Sequence, residues 1–360
     1  MKETMLSYIK DQPRMLRYIF ESRDLFVKKW LTIFKNNSFK KIVLIGAGTS
    51  DYVSRAFKYY VDKYIDIDSI SVLPTTYTYY CQEAKSSLYN NSNVLVLGFS
   101  QTGTSINTVK AIKKAKQLGF TTAVLTAVSN SEICDYSDYV IPLLCGTENV
   151  PPETRGFTSA VLTSYLMVIS LALELESITA EQYQNKINEI DLFLDHVDEC
   201  IVQSEEWFYK NKIELMQMKK GAVTGYGINY ITALEGDMKL AETFRQPIVA
   251  YEMEEFIHGP NMAYGKDHYI FLLLSDEYER ERANDILSFF EPVTSHIFVI
   301  TNESGNYNGK DLRFVYRAPI DLTIIQYVIP LQLYAALACV EAGIDTSVFP
   351  FDNNGIAHDD

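Results

Sequence analysis

The stretch Val94-Leu-Val-Leu-Gly-Phe-Ser-Gln-Thr-Gly-Thr-Ser105 decides how this chain folds. Its apolar first half has the composition of a buried strand. It runs into a loop of hydroxyls, an amide and glycine, and then into a helical pattern from Ile106 to Leu118. A helix starting there points unpaired backbone N–H groups and the positive end of its dipole at one spot. That spot suits a phosphate, and Ser100, Gln101, Thr102 and Ser105 can add side-chain hydrogen bonds. The loop has neither the lysine of a nucleotide P-loop nor the G-x-G-x-x-G of a dinucleotide fold. A phosphate ligand is expected and a nucleotide is not.

Working outward, strand-like runs alternate with helix-like ones. Lys41 to Ile45 leads into Gly46-Ala-Gly-Thr-Ser50 and a helix near Tyr52 to Tyr64. Ser69 to Leu73, Asn93 to Phe99, Thr121 to Thr126 and Tyr139 to Leu144 are further β-rich runs. The alternation then stops for two long helical patterns, Phe157 to Glu176 and Ala180 to about Lys219. It resumes at Ala222 to Gly225, Ile248 to Tyr251, Tyr269 to Leu274, His296 to Thr301 and Arg313 to Tyr316. This predicts two α/β units, each a parallel sheet covered by helices on both faces, joined by a helical linker. Each unit has a glycine turn after its first strand, Gly46-Ala-Gly48 and Gly225-Tyr-Gly227. Ligands of open α/β sheets sit at the carboxyl ends of the strands.

At 360 residues, 47% hydrophobic and 22% charged, the chain can fill two substantial cores. Its formal charge of −14 argues against nucleic acid or an anionic membrane as partner, though not against a small phosphate held by local donors. Five cysteines without a C-x-x-C pair suit reduced thiols in a cytoplasmic protein. The first ten residues lack the apolar core of a signal peptide. Leu322 to Val340 is apolar, but Gln326, Pro330 and Gln332 interrupt it, so a buried amphipathic helix is expected rather than a membrane span. No His or carboxylate cluster has metal-ligand spacing, and neither a metal nor a cofactor is expected.

Glu235, Lys239 and Glu242 are spaced by four and three residues, so they share one helix face. Spacing alone fits a solvated face. Position after a glycine-rich strand end favours a site, where a carboxylate can move a proton between neighbouring carbons. Pro151-Pro-Glu-Thr-Arg155 reads as an extended turn before a helix that Thr154 can cap. Glu153 in that turn is either solvated or turned toward an ammonium group of a substrate. His258, before Gly259-Pro260, is either a loop-shaping residue or a catalyst.

Together these segments resemble the SIS (sugar isomerase) family, in particular its tandem-domain phosphosugar isomerases and the isomerase half of glucosamine-6-phosphate synthase. The resemblance rests on Gly48-Thr49-Ser50, on Ser100-Gln-Thr-Gly-Thr-Ser105 and on Thr147-Glu148 with Thr154-Arg-Gly-Phe-Thr158. It continues in Ala233-Leu-Glu-Gly-Asp-Met-Lys-Leu-Ala-Glu242 and Glu255-Phe-Ile-His-Gly-Pro260, in the family's order and at compatible spacing. It implies an α/β fold of two doubly wound, flavodoxin-like domains in tandem. The expected division is a lead-in at 1–35, a first SIS domain at 36–180, a linker at 181–215, a second at 216–345 and a tail at 346–360. The resemblance further implies a cytoplasmic homodimer with a shared active site acting at C1 and C2 of a sugar phosphate. Thr49, Ser50, Ser100, Gln101, Thr102 and Ser105 would bind the phosphate, while a substrate-binding role for Glu153 rests on the reading of its turn given above. Glu242 would be the base, supported by Glu235 and Lys239. His258 would come from the neighbouring subunit to open the sugar ring.

The family's synthase carries a lysine in its tail that forms a Schiff base. The matching Val348 to His358 has none, and nothing resembling a glutaminase domain precedes the lead-in. Expectation therefore falls on substrates that bring their own nitrogen, by deglycation of fructosamine 6-phosphates or deamination of glucosamine 6-phosphate. The alternatives are simple aldose–ketose isomerisation and a non-catalytic phosphosugar sensor.

Overall fold

The computed structural model describes residues 3–35, 37–81, 90–275, 280–305, 307, 309–348 and 350–351. Two parallel five-stranded sheets carry the fold. The first comprises β1 (Lys41–Ile45), β2 (Asp68–Val72), β3 (Val94–Phe99), β4 (Thr121–Thr126) and β5 (Tyr139–Pro142), in the order β2-β1-β3-β4-β5. The second comprises β6 (Gly221–Gly225), β7 (Ile248–Glu252), β8 (Tyr269–Leu274), β9 (Ile297–Thr301) and β10 (Leu312–Arg313), in the order β10-β9-β8-β6-β7. Counted within its own sheet, each has the order 2-1-3-4-5. The carboxyl ends of β1 and β3, and of β6 and β8, are therefore the points where the winding reverses.

The helices of the first half are α1 (Met5–Glu21), α2 (Asp24–Lys35), α3 (Thr49–Tyr64), α4 (Pro74–Tyr79), α5 (Ile106–Gln117), α6 (Glu132–Asp135) and α7 (Arg155–Glu174). There follow α8 (Ala180–Leu194), α9 (Val197–Leu215), α10 (Gly227–Thr243), α11 (Met253–Ile257), α12 (Arg280–Phe290) and α13 (Thr323–Ala342). All six residues of β3 are buried, as a strand covered on both faces requires. Gly98 lies where β3 meets α5: a Cβ there would stand 2.9 Å from Cδ1 of Ile112. The glycine lets helix and strand close together over a core that includes Val43, Val96 and Ile112.

The chain forms two compact units. One, around the first sheet, includes Arg14–Glu148 and Arg155–Glu189; the other, around the second, includes Met1–Pro13, Asn149–Thr154 and Ile190–Val348. The N-terminal segment and the 149–154 strap thus belong with the second sheet. The helix expected from Ala180 to Lys219 is two helices, broken at Asp195 and His196, where His196 stacks on Tyr316 at 4.1 Å. The strand expected at Arg313 to Tyr316 is only the short β10.

Two helices, α7 and the stretch 320–342 containing α13, are long and apolar enough to cross a membrane, and 94% of each apolar window is buried inside the fold. They are core helices. The amphipathic reading of Leu322 to Val340 is corrected: α13 is buried on every side as far as Cys339. Its glutamines form no polar face because they bind backbone carbonyls within the fold, Gln326 Nε2 that of Tyr316 at 2.9 Å and Gln332 Nε2 that of Thr154 at 3.2 Å. The end of the tail, with His358, lies outside the described residues.

Candidate functional site

In the first unit, β1 and β3 are neighbours, with Ile45 opposite Gly98, so the turns that follow them leave the same edge of the sheet. The β1 turn needs its glycines. A Cβ on Gly46 would come 2.2 Å from the carbonyl oxygen of Ser50, and Gly48 has φ of +56°. The turn delivers Thr49, buried, and Ser50, half-buried, into the first turn of α3.

The β3 loop is fixed by its own backbone. Ser100 Oγ accepts the Gly103 N–H at 3.1 Å, and the Gln101 carbonyl accepts from Ala127 N–H at 3.0 Å and Thr126 Oγ1 at 3.2 Å. The Gly103 carbonyl accepts the Ile133 N–H at 3.0 Å. Gly103 itself has φ of +72°, and a Cβ there would lie 1.9 Å from Ser131 Oγ. The loop leads into α5 at Ile106, whose first N–H groups have no intrahelical acceptor. Hydroxyls pair around it, Thr102 with Thr104 at 2.9 Å and Ser105 with Thr108 at 3.2 Å. Thr104, which the sequence alone did not single out, is thus part of the cradle; two hydroxyls at i and i+2 were the available signal. These groups form a rigid set of neutral donors suited to a phosphate.

In the second unit, α10 carries the acid–lysine trio. It begins at Gly227, so Glu242 lies 15 residues on, about 22 Å along the axis at the usual helical rise. The trio is therefore not at the carboxyl end of β6, which corrects the positional reason for suspecting it. Asn229 occupies that end, its amide bonded to Ser275 Oγ at 2.7 Å and to Thr323 Oγ1 at 3.0 Å. Close packing on α13 is what buries Glu235 and Lys239. A Cβ on Gly236 would meet Leu331 Cδ1 at 2.3 Å, and Thr243 Oγ1 donates to the Ala335 carbonyl at 3.2 Å.

Glu235 and Lys239 are fully buried, whereas the Glu242 side chain is 43% exposed. Lys239 Nζ lies 2.9 Å from Glu242 Oε2 and 3.5 Å from Glu235 Oε1. Burial pushes the lysine toward its neutral form, but the attraction of Glu235, Glu242 and Glu153 outweighs it and holds the ammonium above the ordinary lysine range. The contribution of Glu153, 86 residues away in sequence (239 − 153 = 86), is the smallest of the three. Two carboxylates, those of Glu235 and Glu242, lie beside one ammonium, a formal charge of −1 (1 − 2). Asp237, on the same helix, accepts the Ala250 N–H at 2.7 Å, yet burial pushes its carboxyl up to about 6.

The strap that bears Glu153 is held by buried amides: Gln12 Nε2 donates to Gln332 Oε1 at 2.6 Å, and Gln332 donates to the Thr154 carbonyl. Directly after it, the Glu148 carboxylate accepts the N–H groups of Arg155 at 3.3 Å and Gly156 at 2.6 Å, capping α7 from outside the helix. Arg155 is buried and binds the Thr147 carbonyl at 2.8 Å, a structural role. His258 ends α11, exposed, with Glu254 as its charged neighbour in this chain and no hydrogen bond to Glu242. Among the described residues no three His, Cys, Asp or Glu groups converge as a metal site would require.

The profile of the SIS domain matches residues 37–175 and 214–342, and the chain belongs to this family. A candidate phosphosugar isomerase of known structure from Clostridium difficile 630 is 29% identical, with a TM-score of 0.85 over 97% of this chain and 96% of that one. The glutamine–fructose-6-phosphate aminotransferase (isomerizing) of Clostridium tetani is 23% identical over 361 residues, 95% of this chain and 56% of its own length. The chain spans about half the length of the curated relatives it matches. The glucosamine-6-phosphate deaminase of Thermotoga maritima shares the fold, at 18% identity and a TM-score of 0.73, over 96% of this chain and 97% of its own. Tandem SIS domains are thereby established.

Proposed function

We propose that this chain is an enzyme that acts at C1 and C2 of an amine-bearing sugar 6-phosphate, as a deaminase or deglycase. The observation that carries the proposal is the charge of the Lys239 cluster: two carboxylates beside one buried ammonium, with Glu153 adding a weaker attraction, leave an excess of negative charge. An ammonium group on the substrate relieves that excess; a hydroxyl in its place does not.

The donors of Ser100, Gln101, Thr102 and Ser105, with Thr49 and Ser50, bind the phosphate. Glu242 is the one member of its trio open to solvent, and so the one a substrate can reach. It takes a proton from one of the two carbons and returns it to the other. Lys239 donates a hydrogen bond to that carboxylate, and buried Glu235 helps keep Lys239 charged. In deamination the proton leaves C2 and returns to C1, the nitrogen becomes an imine at C2, and water replaces ammonia. In deglycation the proton moves from C1 to C2, and water releases an amino acid from the C1 imine. Neither route needs an oxidant or reductant. His258, from a second copy of the chain in a dimer, opens the ring. Glu153 binds the substrate's nitrogen.

The test is incubation of the protein with glucosamine 6-phosphate and with a fructosamine 6-phosphate, measuring ammonia and free amino acid. Release from either supports the proposal and says which amine leaves. Aldose–ketose conversion without amine release, or binding of both sugars without turnover, would overturn it.

A further inference from the structure

The strap at 149–154 owes its place to an unusual buried contact. Gln12 on α1 and Gln332 on α13, both with no exposed surface, meet amide to amide at 2.6 Å, and the second amide ends on the Thr154 carbonyl. Two further bonds hold the start of the strap: its Asn149 N–H donates to Tyr8 Oη at 2.8 Å, and Asn149 Nδ2 to Glu3 at 2.9 Å. All of these residues belong to the unit that contains the second sheet. Gln12 Oε1 has no hydrogen-bond partner among the described residues, so the pair is costly as a stability device. Apolar side chains of the same volume would fill the space better. What the pair does is fix the backbone one residue away from Glu153, whose charge acts on Lys239.

We propose that Gln332 and Gln12 are positioning residues: by pinning Thr154 they hold Glu153 at the acid–lysine cluster, and so make the strap the part of the site that selects an amine over a hydroxyl. This inference rests on the proposed amine-bearing substrate. It goes beyond that reading in assigning the selectivity to two buried amides that touch no substrate.

The experiment compares two ligands that differ only at C2, glucosamine 6-phosphate and glucose 6-phosphate, binding to the full chain by calorimetry. The wild-type protein should prefer the amine. Glu153→Gln should reduce that preference by about tenfold, the worth of one hydrogen bond to a charged group. Gln332→Met, close in volume but unable to bond Thr154, should reduce it to a similar extent while leaving glucose 6-phosphate affinity unchanged. The double variant should fall no further than either single one, because both changes remove the same interaction. Gln12→Met frees only one end of the pair and should give a smaller loss in the same direction; it also serves if Gln332→Met does not fold. A folded Gln332→Met or Gln12→Met protein with the wild-type preference would overturn the positioning role while leaving the amine reading intact. No preference in the wild type, or none lost in Glu153→Gln, would overturn the amine reading and this inference with it.

Discussion

Replacing Lys239 by methionine removes the ammonium and keeps the unbranched stem as far as Cε, which isolates the charge. Glu235 is then left with no exposed surface and without its neighbouring cation. At 3.5 Å the pair attracts by about 5 kcal/mol with an effective dielectric constant of about 20. Part of that attraction offsets the desolvation of both ions. Removing one partner of such a buried pair therefore costs about 3–5 kcal/mol. The contact with Glu242 adds little to this, because that carboxylate is 43% exposed and can turn to water.

For a unit of this size the loss lowers the melting temperature by roughly 6–20 °C, measurable by circular dichroism at pH 7.5. The pH dependence gives a second check. In the wild type the raised Lys239 pKa contributes stability that is fully present below the free lysine value, so it is constant from pH 5 to 8. In the variant the stranded Glu235 carboxyl is raised instead, so its penalty grows as pH climbs above the free carboxylate range and shrinks toward pH 5. Adding Glu235→Gln to Lys239→Met should recover most of the loss at pH 7.5. A single variant within about 1 kcal/mol of wild type, or a double variant no more stable than the single one, would refute the account of Lys239 and Glu235 as a buried ion pair.

Two further outcomes follow from the same structure. Gly103→Ala puts a Cβ 1.9 Å from Ser131 Oγ at a φ of +72°, whereas Gly309→Ala meets nothing within 4 Å at a similar φ of +82°. Both carry the left-handed penalty of about 1 kcal/mol, but only the first should also weaken binding of inorganic phosphate, by about tenfold or more; equal phosphate affinity in the two would count against the cradle. Asp237→Asn keeps an acceptor for the Ala250 N–H and removes a carboxyl held near 6 by burial. Since the folded pKa is raised, the wild type loses stability as pH rises from about 4 to 6, so the variant should gain up to about 3 kcal/mol at pH 7.5 and nothing at pH 4 in urea unfolding.

Much of the fold was legible because buried parallel strands and the loops after them have distinct compositions. Val94 to Phe99, the loop at Ser100 and the helix from Ile106 all appear where the sequence places them, with the helix ending one residue early. The break between α8 and α9 was not legible, since the helical pattern runs through Asp195 and His196 and only the stack on Tyr316 marks it. Glu235, Lys239 and Glu242 do share a face, but i, i+4, i+7 spacing describes a solvated helix equally well. The burial of the first two depends on Gly236 letting Leu331 approach, a contact between segments 95 residues apart (331 − 236 = 95). The same limit hid the partners of Glu153 and the Gln12–Gln332 contact: side chains that meet only after folding leave no local pattern.

The most direct test of the account is the rate of amine release by wild-type protein and by Glu242→Gln, on whichever of glucosamine 6-phosphate and fructosamine 6-phosphate the wild type consumes. The side chain is half exposed, so the substitution should leave folding and sugar-phosphate binding intact. The rate should fall by about 10²–10⁴-fold, the usual worth of a positioned general base. Release that persists at the wild-type rate in the folded variant would contradict the assignment of proton transfer to Glu242.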